Sequence, residues 1–153
     1  MTVSRCAAVL VVTLSTVTLA AQMPDRSFRP MIEDRAYAIG AGPVVCFDEG
    51  HDNAQTLGDG FWPFGDLVRR DGYVVRPVRT LDQEALAGCH VVLIASPQSL
   101  LDAAELPRWV RDGGSLLLLL DHDSLSPASA LAGAFGVEFT NTRAAPATFR
   151  AGA

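Results

Sequence analysis

Residues Pro43-Val-Val-Cys-Phe47, followed directly by Asp48-Glu49-Gly50, decide how the rest of the sequence is interpreted. A short continuous apolar run that ends in turn residues is typical of a strand buried on both faces. The same pattern returns at His90-Val-Val-Leu-Ile-Ala95 and at Ser115-Leu-Leu-Leu-Leu-Leu120. We therefore expect a mostly parallel sheet, with the most apolar run, 115–120, in a central position.

Helix signals separate these runs. Pro63 and Gly72 mark the start and the end of a first helix, and a further strand, 73–78, follows at once. Because Pro77 has no N–H group to donate, this strand is predicted to lie at an edge of the sheet or to stop pairing there.

The second half of the chain repeats the alternation. A capping box that begins at Thr80 predicts a short helix over 81–87. Ser126-Pro127 and Gly136 bound the last helix, and Val137-Glu-Phe139 predicts a short fifth strand. Repeated right-handed crossovers of this kind build an open, three-layer α/β sandwich, here with about five strands.

Composition limits the functions that remain. The 153 residues are 49% hydrophobic and 19% charged, which is enough apolar surface for one globular domain. The formal net charge is -5, and the 12 basic residues are scattered arginines, so nucleic acid is excluded as a partner. The absence of lysine excludes Schiff-base chemistry and a Walker-type phosphate loop.

The N-terminus has the pattern of a secretory signal peptide. Arg5 precedes an apolar run from Cys6 to Ala21, which ends in small residues. We expect residues 1–21 to be a signal peptide and the protein to be exported to the periplasm or beyond the cell. The alternative is an uncleaved anchor, through which alone the protein would contact a membrane, but the run is shorter than the roughly 20 residues of a span.

Three further segments are predicted after the leader. Residues 22–42 are a linker or surface arm, residues 43–140 form the α/β domain, and residues 141–153 form an irregular C-terminal tail.

Cleavage of the leader leaves two cysteines, Cys46 and Cys89, in an oxidising compartment. Cys46 falls late in its strand, and Cys89 falls just before its own. Neighbouring parallel strands would hold the two apart, beyond the roughly 7 Å limit for Cα atoms in a disulfide. We therefore expect both to be small, buried and unpaired residues.

Ligands of open parallel sheets bind beyond the carboxyl ends of the strands, and two of these ends are polar here. One follows the strand at 43–47 and the other follows the strand at 115–120. The candidate ligand-binding residues are Asp48, Glu49, His51, Asp52, Asn53, Asp121, His122 and Asp123.

If the two ends converge, His51 and His122 together with a carboxylate resemble the ligand set of a divalent metal ion, or an acid/base pair acting on a bound water. No His-Glu-x-x-His or paired Cys-x-x-Cys motif strengthens the metal interpretation. The alternative is that the aspartates and the asparagine cap loops and helix starts, with the histidines half exposed.

Several of these segments together resemble an uncharacterised family of exported bacterial proteins with a class I glutamine amidotransferase-like domain of unknown function. The resemblance covers roughly residues 25–140 and is carried by 43–53, 64–73, 86–95 and 109–118. It implies a flavodoxin-like, three-layer fold. Amidotransferases of this class carry a nucleophilic cysteine where this chain has Asp121-His122-Asp123, so glutamine hydrolysis is not implied.

Three hypotheses about function follow. The first is a non-glutaminase member of this fold that binds a small polar ligand or a protein partner at the strand ends. The second is a metal-dependent hydrolase in which His51, His122 and a carboxylate hold the ion and a second carboxylate is the base. The third is a scaffold without a site. The sequence leaves open whether the protein is an enzyme.

Overall fold

The computed structural model describes residues 25–101, 103–121 and 125–140. The expected leader at 1–21 and the tail at 141–153 lie outside these ranges. In chain order the elements are β1 (Val44–Asp48), α1 (Trp62–Arg70), β2 (Val74–Val78), α2 (Gln83–Ala87), β3 (Val91–Ala95), α3 (Leu106–Arg111), β4 (Ser115–Leu119) and α4 (Leu125–Ala134). Among the described residues, no helix has both the length and the apolar character to cross a membrane.

The four described strands form one sheet in the order β2-β1-β3-β4, and every neighbouring pair is parallel. The α/β class and the parallel sheet are thus confirmed, and the order is consistent with a flavodoxin-like layout. From β1 the chain first adds a strand on one side and then returns to add β3 on the other. This reversal places the topological switch point at the carboxyl ends of β1 and β3.

Apolar side chains cover both faces of the sheet. Cys46, Val92 and Ile94 pack on one face against residues of α2, α3 and α4. On the opposite face, Phe47 and Leu93 belong to a second cluster with residues of the α1 region. The buried strands therefore read as continuous apolar runs, because both of their faces are covered.

The predicted central position of the fourth strand is wrong. β4 is an edge strand of the described sheet, and Leu117 on it is 40% exposed. Its apolar sequence reflects packing against the helix layers and not a second neighbouring strand.

Residues 137–140 form no strand, so the described sheet has four strands instead of about five. The edge position predicted for β2 from Pro77 is confirmed.

The predicted capping box at Thr80 is also wrong by two residues. α2 begins at Gln83, and its N-cap is Asp82, whose Oδ1 accepts a hydrogen bond from Ala85 N at 2.9 Å. Leu81, expected inside the helix, is instead buried in the core. The hydrogen bond from the Ala85 N–H, and a second from the Thr80 side chain, lower the pKa of Asp82 and keep it a carboxylate.

Cys46 and Cys89 form a disulfide, contrary to the expectation that the sheet would hold them apart, and their Cα atoms are 5.8 Å apart. The expectation treated Cys89 as a continuation of β3. In fact Cys89 belongs to the turn that leaves α2, where its N–H donates to Leu86 O at 3.0 Å. This turn lies above the sheet face onto which Cys46 projects, so the two sulfur atoms meet between the layers.

This disulfide closes a loop with a sequence separation of 43 residues. By the chain-entropy argument, its removal should lower the free energy of unfolding by about 4 kcal/mol. We expect denaturant titrations with and without reductant to differ by about this amount. The double variant Cys46→Ala/Cys89→Ala is the control, because reductant should no longer shift its midpoint. An unchanged wild-type midpoint after proven reduction would contradict the prediction.

Candidate functional site

The candidate site lies at the switch point, where the loop after β1 meets the turn after β3. Ala54 N donates to Ser96 O at 3.0 Å, and Gln98 N donates to His51 O at 3.0 Å. These backbone bonds hold the two segments together at the carboxyl edge of the sheet. In open α/β sheets this is the place where ligands bind.

A buried carboxylate–imidazole pair forms the centre of the site. Asp48, the last residue of β1, is 2% exposed, and His51 is 8% exposed. His51 Nδ1 lies 2.8 Å from Asp48 Oδ1 and 2.9 Å from Asp48 Oδ2. Because a carboxylate only accepts hydrogen bonds, Nδ1 carries the proton and donates to Asp48. The lone pair of the neutral ring is therefore on Nε2.

Asn53 holds this pair in place. Its Nδ2 donates to Asp48 Oδ2 at 3.0 Å and to Ala95 O at 3.2 Å, at the end of β3. Its Oδ1 accepts from His51 N at 3.1 Å, and Gly50 N donates to Asp48 Oδ1 at 3.2 Å. The Asp48 carboxylate is thus fully hydrogen-bonded although it is buried, as a buried charge requires.

His51 opens onto a cleft of about 350 Å³. Within the described part of the chain, no residue forms a hydrogen bond with His51 Nε2. The other lining residues come from the start of the α2 region and the start of α3; they are Arg79, Thr80, Leu81, Asp82, Ala104 and Glu105. We call this cleft the crevice.

A backbone and a side-chain hydrogen bond hold the segment that carries Arg79 against the loop that carries His51. Glu49 N donates to Val78 O at 2.9 Å. Arg79 Nη1 donates to Glu49 O at 3.2 Å. A Cβ atom on Gly50 would collide with the carbonyl group of Arg79, so only glycine lets the loop after β1 approach the end of β2 this closely.

The structure brings together three residues of the first predicted polar strand end, Asp48, His51 and Asn53. Glu49 turns away, since its Oε1 accepts from Leu57 N at 2.8 Å and so holds the following loop. Asp52 is exposed and has a left-handed backbone with φ of 49°, which is the role of a turn residue.

The second predicted polar end is placed differently. Asp121 is exposed and follows the edge strand β4, and β3 separates this strand from β1. His122 and Asp123 lie outside the described residues. No group of three histidine, cysteine or carboxylate side chains in residues 25–101, 103–121 and 125–140 is arranged to hold a metal ion. The metal set of His51 and His122 stays a prediction.

The sequence analysis missed the residues that form the walls of the crevice. Arg79 and Thr80 directly follow β2. The rule that strand ends carry the site could therefore have identified them, although they were not predicted. Glu105 carried no such signal, because nine residues separate it from the end of β3. The fold brings it to the crevice through the start of α3.

An aromatic segment and a serine near this edge of the sheet also have defined places. Phe61 and Phe64 pack their rings against Phe47, so this aromatic segment belongs to the core beside the sheet. Ser96 directly follows β3 and has a φ of 43°, an uncommon backbone for serine, and its hydroxyl forms no hydrogen bond with His51. The described residues therefore contain no serine–histidine–aspartate triad at this edge.

Comparison of the chain with protein-family models, with curated proteins and with solved structures finds no match.

The geometry predicts opposite tautomers for two histidines. His51 should carry its proton on Nδ1, whereas His90 Nδ1 accepts from Val44 N at 3.1 Å and so should carry its proton on Nε2. At a pH where both rings are neutral, the ¹⁵N chemical shifts of the ring nitrogens should show this difference. The variant Asp48→Asn should change the pattern of His51 and leave that of His90 unchanged. The same tautomer in both rings would contradict the assigned hydrogen bonds.

Gly50→Ala should destabilise the fold at the site. The added methyl group meets backbone atoms of Arg79 that cannot rotate away, so we expect a loss of about 2 kcal/mol in the free energy of unfolding. Gly133→Ala is the matched control, because a Cβ there meets no atom within 4 Å and α4 favours alanine. Equal stability of the two variants in urea titrations would show that the loop adapts.

Proposed function

We propose that the protein binds a small polar molecule in the crevice, with His51 Nε2 as the group that accepts a hydrogen bond from it. One observation carries the proposal: a histidine that is 8% exposed and fixed by a buried aspartate lines a cleft, and its second nitrogen has no hydrogen-bond partner among the described residues.

A purely structural role does not explain this arrangement. Holding the loop after β1 needs the bond between Nδ1 and Asp48, and an asparagine at position 51 would supply a donor without a basic nitrogen. A buried aspartate that fixes the tautomer of a histidine leaves a lone pair directed at one place. The pair therefore supports recognition of a ligand that presents an N–H or O–H group.

The same pair supports a second candidate, an enzyme in which His51 accepts a proton from a bound water or hydroxyl group. Asp48 would then stabilise the imidazolium ion that forms, as a buried aspartate does for the histidine base of serine hydrolases. A metal-dependent version needs a second ligand, for which His122 is the sequence candidate.

Within the flavodoxin-like layout, we propose the finer assignment to a class I amidotransferase-like domain that has lost glutaminase chemistry. The four-stranded parallel sheet agrees with that assignment. Cys46 and Cys89 are bonded to each other, so neither offers a nucleophilic thiolate. The remaining cysteine of the chain, Cys6, lies in the predicted leader.

We also propose that the protein is exported. The disulfide supports this, because such bonds form and persist in the periplasm and outside the cell and are rare in the cytosol. Together with the pattern of residues 1–21, it supports export of the domain to an oxidising compartment.

The proposed binding is tested with a library of small polar fragments, followed by amide NMR spectra of the protein. We expect binders to shift the signals of His51, Arg79 and Thr80, and to bind His51→Ala about fivefold more weakly, because the loss of one hydrogen bond in a half-enclosed site costs about 1 kcal/mol.

His90→Ala is the matched control for this test. His90 directly precedes β3, at the opposite edge of the sheet, so its removal should leave fragment binding unchanged. Fragments that bind His51→Ala and His90→Ala equally well, or that shift only signals of residues away from the crevice, would reject the proposal.

A further inference from the structure

We infer that the Cys46–Cys89 disulfide is redox-active: an external thiolate attacks Cys89 Sγ, and Cys46 leaves as a thiolate that the guanidinium of Arg76 stabilises. The partner in this reaction is a thiol reductant, either a small thiol or a protein dithiol. The bond lies between the sheet and the turn that leaves α2, and its chemistry is independent of the ligand proposed for the crevice.

Arg76 lies directly beside the disulfide. It is the register partner of Cys46 in the pairing of β2 with β1, so the two side chains project from the same face of the sheet. Arg76 Nε lies 3.4 Å from Cys46 Sγ, and Arg76 Nη2 lies 3.8 Å from Cys89 Sγ. One guanidinium therefore reaches both sulfur atoms of the bond.

No carboxylate of the described residues competes for this guanidinium. Arg76 forms no ion pair with them, and its side chain forms hydrogen bonds there with the two sulfur atoms alone. Because sulfur is a weak hydrogen-bond acceptor and a disulfide is neutral, the positive charge gains little in the oxidised state. It gains much more beside a thiolate, so it favours the reduced state.

The burial of the two cysteines assigns their roles. Cys46 has no exposed surface, whereas Cys89 is 8% exposed. Since no atom of Cys46 is accessible, an attack on the folded protein has to take place at Cys89. Ala85 O lies 3.2 Å from Cys89 Sγ and can accept a hydrogen bond from its S–H group after reduction. Cys89 therefore takes up a proton, and Cys46, which is nearer to the guanidinium, keeps the negative charge.

The exchange balances in two steps. First, a thiolate of the reductant bonds to Cys89 Sγ, the disulfide breaks, and its electron pair stays on Cys46 Sγ. Second, another thiolate of the reductant attacks the reductant's sulfur in this mixed disulfide and releases Cys89 as a thiolate, which takes a proton from solvent. Two thiolates of the reductant are thus oxidised to one disulfide, and the disulfide of the protein is reduced to a thiolate and a thiol.

The first test measures the equilibrium constant for reduction of the full chain in dithiothreitol redox buffers. All samples carry Cys6→Ala, which removes the third cysteine of the chain. We expect Arg76→Gln to lower this constant about tenfold, equivalent to about 30 mV, because the thiolate loses a charge-assisted hydrogen bond. Arg76→Lys keeps the charge and should lower it less.

Arg111→Gln is the matched control for this test. It removes the same charge from an exposed position at the end of α3, and Arg111 forms no hydrogen bond with either sulfur atom. We therefore expect the equilibrium constant of Arg111→Gln to equal that of the wild type. Circular dichroism of both redox states verifies that each variant is folded.

A second variant displaces the guanidinium without removing it. A Cβ atom on Gly88 would collide with Nη2 of Arg76, which is the end of a flexible side chain and can move away. Gly88→Ala should therefore lower the equilibrium constant in the same direction as Arg76→Gln. The double variant Gly88→Ala/Arg76→Gln should lower it no further than Arg76→Gln alone, because both changes act on the same charge.

Single-cysteine variants test which sulfur atom is attacked. Glutathione disulfide should label Cys89 in Cys46→Ala roughly tenfold faster than it labels Cys46 in Cys89→Ala, because Cys46 is buried. Mass spectrometry measures both rates. Initial rates of reduction of the intact bond by glutathione and by thioredoxin, at equal thiolate concentration, then distinguish a small thiol from a protein dithiol; either result agrees with the inference.

Three results would overturn the inference. The first is an equilibrium constant that Arg76→Gln leaves unchanged, since the guanidinium then gives the thiolate no support. The second is labelling of Cys46 as fast as that of Cys89. The third is a bond that neither glutathione nor thioredoxin opens in the folded protein, which would make it purely structural.

Discussion

The pairing of β1 with two parallel neighbours is the constraint on which the rest of the structure depends. β1 lies between β2 and β3, so its residues are buried on both faces and its carboxyl end meets the turns that follow both neighbours. Cys46 in this strand forms the disulfide, and Asp48 at its end binds His51. Covalent bond, core and candidate site are therefore consequences of one five-residue strand and its position.

The strands and most helices were predictable because their signals are local. Apolar runs that end in turn residues identified three of the four described strands, the place directly after Gly72 identified β2, and Pro77 identified an edge. Strand order is not local: it depends on which side of the sheet each crossover takes. Composition suggested a central place for 115–120, but an edge strand also needs apolar residues where helices cover it, and Leu116 and Leu118 of β4 are half-buried there. The disulfide was missed for the same reason. Cys89 was assigned to the region of β3, whereas the turn after α2 places it next to Cys46.

The site was predictable in part for a related reason. A rule about strand ends needs only the position where each strand stops, and it identified Asp48, His51 and Asn53 correctly as residues of one edge. Whether two such ends meet depends on the strand order, and β3 lies between the end of β1 and the end of β4. Glu105 reaches the crevice only through the packing of α3 beside α2, which no spacing in the sequence encodes.

The disulfide also determines which parts of the crevice are covalently inseparable. The ring that it closes runs from Cys46 to Cys89 and contains His51 and Arg79, whereas Glu105 lies beyond it on the open chain. A protease that cuts the exposed turn at Gly58 would thus leave one bonded molecule. In chemical terms, the lining residues from His51 to Asp82 belong to a macrocycle, whereas Ala104 and Glu105 are attached to it by an ordinary chain.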